Sequence, residues 1–570
     1  MSSNRYVKLV ALAAALALGL VAAITQPAGA GKATLNLVLV IDGLRSDSIT
    51  PEETPNLWRL RQEGVNFLNS HSVFPTVTRV NATAIGTGAY PDRNGMLGNR
   101  IYVRAVDPNL AFGNDDHKNL LRLDEATGGG MVLVKSLGEI LAERGKRLAA
   151  VSSGSTGQAL LLNPRAPKGV GVLVNGYWEA GVRVAFPDAV NDAVLARFGK
   201  APSRGGTTAS DDAAVAWTQG VLRDYVLGEL KPDVVLNWLT EPDHIQHGLG
   251  PGSPQARASI RADDAEVGLL LKKLEALGLA GATNIIVVSD HGFSHSAFGV
   301  NLTGELIKAG LKTSAGSDDV VIASSGQTML LHVKDRDPAL IHRITEFLKA
   351  QEWAGVLFTA GKQSEGVVPI EGVEPGTFAI ELIHLANAER GARRRAQFRA
   401  SVRRAHYRVA ALAARFARQR GPDIVVTFPW SSAPGPHGVP GTDYTETGRA
   451  TGPLTGPQGN HGSMSPWTVR NTFIAWGVDF KRGAVIRTPV SNVDLTPTLL
   501  ALMGLDRDPT LPRFDGRAIV EAFVDGPDQE QVPVRTTTHI AATADGGYRA
   551  AIQISEVGAQ RYIDKSWRMR

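Results

Sequence analysis

The sequence predicts an α/β fold, with a central, mostly parallel sheet flanked by helices. Three observations carry this. Leu35-Asn-Leu-Val-Leu-Val-Ile41 is an almost continuous apolar run, the pattern of a strand buried on both faces of a parallel sheet. Amphipathic segments then alternate with short apolar runs in helix-then-strand order, which builds a parallel sheet covered on both sides. Aspartates and histidines stand at the carboxyl ends of those runs, where open α/β sheets collect ligands.

Taken in order, Leu35–Ile41 ends at Asp42-Gly43, and Thr54–Gly64 reads as a helix closed by glycine. Phe74-Pro-Thr-Val-Thr-Arg-Val-Asn81 precedes a helical Asn-Ala-Thr-Ala-Ile segment that runs into glycines. The alternation continues with helix Ser136–Glu143 and strand Arg147–Val151, then helix Asp211–Leu230 and strand Asp233–Leu239. Helix Ala256–Leu277 and strand Asn284–Val288 complete it. From 294 to 427 the pattern changes, as expected of an inserted cap. Val320–Ala323, Thr328–Val333 and Phe378–Leu382 read as strands and Pro338–Ala350 as a helix. Arg390 to Arg420 holds eleven arginines and no acid, with apolar residues at helical spacing. Such a face could bind phosphate or a membrane surface, but a charge run reads first as a solvated helix face. Ser431–Gly459 is rich in Gly, Pro, Ser and Thr and reads as a long loop. The sheet resumes at Asn471–Trp476, helix Asp494–Gly504 follows, and residues 526–570 form an extension expected to hold a hairpin.

Residues 1–30 have the layout of a removable export signal: Arg5 and Lys8, an apolar run from Leu9 to Ile24, then Ala28-Gly29-Ala30. The run is shorter than the ~20 residues of a membrane span. The expectation is therefore an exported protein, periplasmic or extracellular, whose catalytic domain covers 31–525. The absence of cysteine excludes thiolate nucleophiles and Cys-ligated zinc. The formal net charge of +5 falls to +3 without Arg5 and Lys8, too little to argue for a nucleic-acid polymer as partner.

The candidate chemistry lies at the strand ends. Asp42 follows the first strand; Asp243 and His247 lie in Glu241-Pro-Asp-His-Ile-Gln-His-Gly248; Asp290 and His291 lie in Ser289-Asp-His-Gly292; His461 lies in Gly459-Asn-His-Gly462. Carboxylate and imidazole sets of this kind suit zinc, and paired metals clamp the attacking and leaving oxygens of an in-line displacement. His437-Gly438 rivals His461, since both are His-Gly in a loop, while His244 and His295 break the spacing. Thr76 and Thr78 are both candidate hydroxyls at a helix start, where backbone N–H groups favour a bound anion.

Asp42-Gly-Leu-Arg45, Pro75-Thr-Val-Thr-Arg-Val-Asn81, Tyr90-Pro-Asp-Arg-Asn-Gly95, Glu241-Pro-Asp-x-x-x-His247, Ser289-Asp-His-Gly292 and Asn460-His-Gly462 occur in that order. Together they resemble the type I phosphodiesterase/nucleotide pyrophosphatase family of the alkaline phosphatase superfamily, over roughly Leu35 to Ile519 apart from the cap. The resemblance implies an alkaline-phosphatase-like sandwich and two zinc ions per chain. It implies Asp42, Thr78, Asp290 and His291 on one ion and Asp243, His247 and His461 on the other. Thr78 would be the nucleophile and Asn99 would hydrogen-bond a phosphoryl oxygen. The substrate implied is a small phosphodiester or nucleotide-like molecule.

The match departs from the family at three places. Arg79-Val-Asn81 replaces the frequent Phe-Pro-Asn, so the base-stacking Phe is absent, and Tyr177, Trp178 or Trp238 are the aromatic substitutes. Gln246-His247 replaces Gly-His. Val151-Ser-Ser-Gly-Ser-Thr-Gly157 lacks the Lys-x-Arg of threonine-nucleophile monoesterases. An unpaired phosphate charge in a desolvated site is costly, so diesters are the expected substrates unless Arg79 turns inward. Two readings stand beside this one: a phosphomonoesterase or phosphonoacetate-type hydrolase of the same superfamily, and a non-catalytic, metal-binding adhesion protein.

Overall fold

The computed structural model describes residues 33–179, 182–361, 373–386 and 420–569. Residues 1–30 and most of the Arg-rich 390–420 segment lie outside them, and so do the expectations attached to those stretches.

Strand Leu35–Ile41 is buried along its whole length. Its side chains alternate, with Leu35, Leu37, Leu39 and Ile41 packing into one core and Val38 and Val40 into the other. A period of two on a strand with apolar groups on both faces is what places it inside a sheet. The one polar interruption, Asn36, is satisfied by the Asn284 side-chain amide at 3.0 Å. The strand sits mid-sheet, parallel to Val234–Leu239 on one side and Thr283–Val288 on the other. Leu148–Ser152 and Val172–Asn175 extend the parallel set beyond Val234–Leu239. Nine strands make up this sheet, with long helices such as Pro254–Ala276 against it. The mostly parallel α/β architecture is therefore the one the sequence implies.

Several elements differ in detail. Phe473–Gly477 joins the sheet antiparallel to Thr283–Val288, because the chain arrives from a loop at the carboxyl edge and can only run back. Helix Asp212–Val221 continues as wider π-type turns over Leu222–Leu230. Phe378–Ala379 is a two-residue strand that passes into a 3-10 turn at Ile380–Ile383. The stretch Ser431–Gly459 is no open loop. Trp430–Pro434, Pro440–Glu446, Gly452–Pro453 and Gly459–Asn460 pair into a second sheet around Ser294–Val300. Local Gly and Pro density reads as loop, but a ladder with a strand some 150 residues earlier supplies the missing hydrogen bonds.

Val320–Ser325, Thr328–Val333, Ile424–Thr427, Leu357–Thr359 and Phe378–Ala379 form a separate five-stranded sheet. The tip of its first hairpin, Ser325-Gly326-Gln327, reaches back to the main sheet's carboxyl edge. In place of a hairpin, the carboxyl-terminal extension is a three-stranded meander, Val534–Ala542, Arg549–Val557 and Gln560–Met569. It is tied on by Asp564, whose carboxylate meets His71 Nε2 at 2.9 Å. No helix among the described residues is long and apolar enough to cross a membrane.

Candidate active site

Register assembles the site. Ile41 pairs with Leu239 and Val40 with Val288, so the three strands release Asp42, Asp243 and Asp290 at one edge of the sheet. Gly43 makes the turn after Asp42 possible. Its backbone is left-handed at φ +68°, and an added Cβ would lie 3.2 Å from Asp243. Its N–H donates to Asp290 Oδ1 at 3.1 Å.

His291 is the centre of the arrangement. Its Nε2 lies 3.0 Å from Asp290 Oδ2, 3.5 Å from Asp42 Oδ1 and 3.8 Å from Asp243 Oδ1. Thr78 Oγ1 is 3.5 Å from the same nitrogen. The His461 ring stacks on that of His291, centroids 3.5 Å apart, and its Nε2 meets Asp243 Oδ1 at 3.3 Å. His247 approaches the other oxygen, Asp243 Oδ2, at 3.4 Å. His437 is elsewhere, exposed, with Nε2 against the Leu249 carbonyl. His295 binds the Gln458 carbonyl and His244 that of Gly206.

The ring nitrogens are oriented alike. Nδ1 of His291, His461 and His247 lies against the carbonyls of Gly292, Thr76 and Gly459, at 2.9, 2.9 and 3.3 Å. A carbonyl only accepts, so each neutral ring carries its proton on Nδ1 and offers the Nε2 lone pair to the pocket. Facing those lone pairs, Asp42 Oδ1, Asp243 Oδ1 and Asp290 Oδ2 are buried without a hydrogen-bond partner. Buried carboxylate oxygens without a donor are rare and costly. Burial and the neighbouring charges of Asp290 and Asp243 push the Asp42 carboxyl well above the usual range. Burial works the same way on Asp243, but His247 and His461 hold it well below that range. Burial and the adjacent His291 lower His461 to about 4. Acceptors and lone pairs crowded together without donors are an arrangement that could hold a metal ion. Two groups, Asp42–Asp290–His291 and Asp243–His291–His461, are compact enough to hold an ion.

The nucleophile candidate begins helix Thr78–Thr87, behind Val77, whose side chain makes no cap. Asn81 fixes the approach to it, accepting from Val73 N at 2.8 Å and donating to the Val73 and Val77 carbonyls. Thr76 is a brace: its hydroxyl donates to Ser463 O and accepts from Gly462 N. Asn99 Oδ1 accepts from Arg79 N at 3.1 Å, which leaves its NH2 as the donor for another oxygen.

Trp238 is a correction. It is fully buried in its strand, and its indole N–H donates to Asp42 Oδ2 at 3.0 Å, so it offers no face to a substrate. Trp178 is buried against His117. Tyr177 alone of the three stays half-buried, beneath the Arg204 guanidinium at 5.5 Å. Gln246 donates to the Gly43 carbonyl at 3.2 Å, on the turn that follows Asp42. The strands of the cap hairpin were legible in the sequence, but the contact of its tip with the site was not. Ser325 Oγ accepts from Asn99 N at 3.2 Å, and Gln327 N donates to His461 O at 3.2 Å. No local motif marks it, because the contact joins segments more than 100 residues apart.

Residues 36–361 match the family described as type I phosphodiesterase/nucleotide pyrophosphatase. The chain belongs to that family. Among its relatives, venom phosphodiesterase 2 of Crotalus adamanteus is 24% identical over 270 residues, 47% of this chain and 27% of that protein. Ectonucleotide pyrophosphatase/phosphodiesterase family member 1 of Homo sapiens is 24% identical over 266 residues, 46% of this chain and 24% of its own. The aligned stretch is thus about a quarter of those relatives' length. Human ectonucleotide pyrophosphatase/phosphodiesterase 5 superposes with a TM-score of 0.51 at 17% identity, covering 84% of this chain and 97% of that one. The murine protein was solved as an inactive threonine-to-alanine variant with AMP, and superposes at 0.50 and 15% identity over 84% of this chain and 98% of that one. The fold is shared with these structures.

Proposed function

We propose that this chain is an exported two-zinc phosphodiesterase that works through a phosphothreonine intermediate on small phosphodiesters, nucleotide pyrophosphates among them. The observation that carries the reading is the convergence of three unpartnered carboxylate oxygens, of Asp42, Asp243 and Asp290, on His291 and His461, with the Thr78 hydroxyl 3.5 Å from His291 Nε2. Asp42, Asp290, His291 and Thr78 would hold one ion, and Asp243, His247 and His461 the other. Bound there, the ions acidify the Thr78 hydroxyl and neutralise charge on the leaving oxygen.

The chain's own groups do the rest. Thr78 Oγ1 attacks phosphorus in line; the bond to the leaving oxygen breaks as the Oγ1–P bond forms, and water cleaves that ester in a second step. Asn99 donates its free amide to a non-bridging oxygen. The unsatisfied N–H groups at the helix start face the same charge. Export accords with the secreted character of the venom relatives.

The test is turnover of bis-p-nitrophenyl phosphate by zinc-loaded protein, against p-nitrophenyl sulfate as control. Thr78→Ala should abolish it while zinc content and unfolding temperature hold. Thr76→Ala should lower it far less, its effect being on stability. Chelation should remove activity and zinc restore it, at two ions per chain; less than one ion in zinc-replete buffer would overturn the proposal. Binding to anionic surfaces without turnover would favour the adhesion reading.

A further inference from the structure

We propose that Arg79 receives a second negative charge of the substrate, beyond the single charge of a phosphodiester, and so widens the substrate class. The proposal rests on the phosphodiesterase reading. Arg79 lies between the two groups that would handle the phosphoryl: it follows Thr78 in the helix, and its backbone N–H holds Asn99 Oδ1. Its side chain turns inward. Nε is buried with no hydrogen-bond partner, and the guanidinium makes no ion pair among the described residues. Arg204, the arginine whose charge reaches it, is itself engaged, with Asp211 and the Tyr177 ring.

The negative charges that reach Arg79 are those of Asp115, Asp42 and Asp243. Two of these belong to the candidate metal ligands, and Asp115 is exposed to water. None is close enough to be a partner, so a half-buried cation with a buried, unpartnered Nε is left beside Thr78 and Asn99. A charge partly withdrawn from water gains from pairing, and here the pairing group arrives with the substrate. Arg suits this task because its planar donors match phosphate and carboxylate oxygens. The charge can come from either of two sources: the dianionic phosphoryl of a monoester, or an anionic group on the half of a diester that stays bound. In the first case the wide preference for diesters expected from the missing Lys-x-Arg narrows; in the second it holds, and diesters with an anionic retained half are favoured.

Three aryl substrates separate the cases: methyl p-nitrophenyl phosphate with one charge, p-nitrophenyl phosphate with the second on phosphorus, and 2-carboxyethyl p-nitrophenyl phosphate with it on the retained half. The readout is the ratio of kcat/KM for each doubly charged substrate to that for the methyl ester. In Arg79→Gln one ratio or both should fall about ten- to a hundredfold, the loss of a charge-assisted pair. Arg79→Lys should keep most of it. The substrate whose ratio falls names the source. Because the ratio is internal to each variant, general damage to the fold cancels. Both ratios within about threefold of wild type in Arg79→Gln would overturn this inference alone. Wild-type failure on all three substrates would overturn the phosphodiesterase reading and the inference with it.

Discussion

Replacing Trp238 by Phe isolates one hydrogen bond behind the candidate metal ligands. The indole N–H is the donor to Asp42 Oδ2, at 3.0 Å in a fully buried position, and the other oxygen, Oδ1, has no partner. Deleting the donor leaves the carboxylate with neither oxygen satisfied. A hydrogen bond to a charged group is worth roughly 1.5–3 kcal/mol. The smaller ring adds a cavity term of about 1–2 kcal/mol, so metal-free protein should lose about 2.5–5 kcal/mol. The same bond orients Asp42 toward the ion, and loss of such a support weakens metal binding by about ten- to a hundredfold. Competition with a fluorescent zinc chelator measures the affinity, and calorimetric unfolding with and without zinc measures the stability. Trp178→Phe is the control: that indole is equally buried but packs on His117 and Phe186, away from the ligands. It should lower stability and leave zinc affinity alone. Zinc affinity in Trp238→Phe within twofold of wild type, or an equal loss in Trp178→Phe, would refute the reasoning.

Two further outcomes follow from the same contacts. Ser325→Ala removes the acceptor for Asn99 N; with a net bond worth of about 1–2 kcal/mol, kcat/KM should fall about five- to thirtyfold at unchanged zinc content. Unchanged turnover would mean the cap hairpin does not hold Asn99. His332 and His384 are each held down to about 3, in both cases first by burial, against an unfolded value near 6.5. Their contribution to stability is complete above that unfolded value and is lost as pH falls toward 3, at up to about 1.4 kcal/mol per unit for each group. Unfolding at pH 7 and pH 5 should therefore differ by several kcal/mol. His384→Asn, which tolerates the left-handed backbone at φ 57°, should remove about half of that difference. An identical pH slope in the variant would exclude His384 as a source.

The sequence by itself determined the parallel core and the aspartates and histidines that gather at its carboxyl edge. Seven consecutive buried positions at Leu35–Ile41 leave one place for that strand, and a carboxylate directly after a buried strand end can only emerge at the sheet's carboxyl edge. The order of the motifs ranked His461 above His437, and the structure brings His461, not His437, against Asp243. What only the tertiary structure decided are contacts between distant segments. Trp238 looked like a stacking surface because a sequence shows an aromatic ring but not the neighbour of its N–H, which strand register sets. Ser431–Gly459 looked like a loop because its partner strand lies far upstream, and backbone pairing, having no side-chain signature, overrides local Gly and Pro content. Arg79 was legible as an arginine beside the nucleophile. That its Nε is buried and without a partner depends on what the fold leaves around it, and local residue patterns encode burial and period but not the company a side chain keeps.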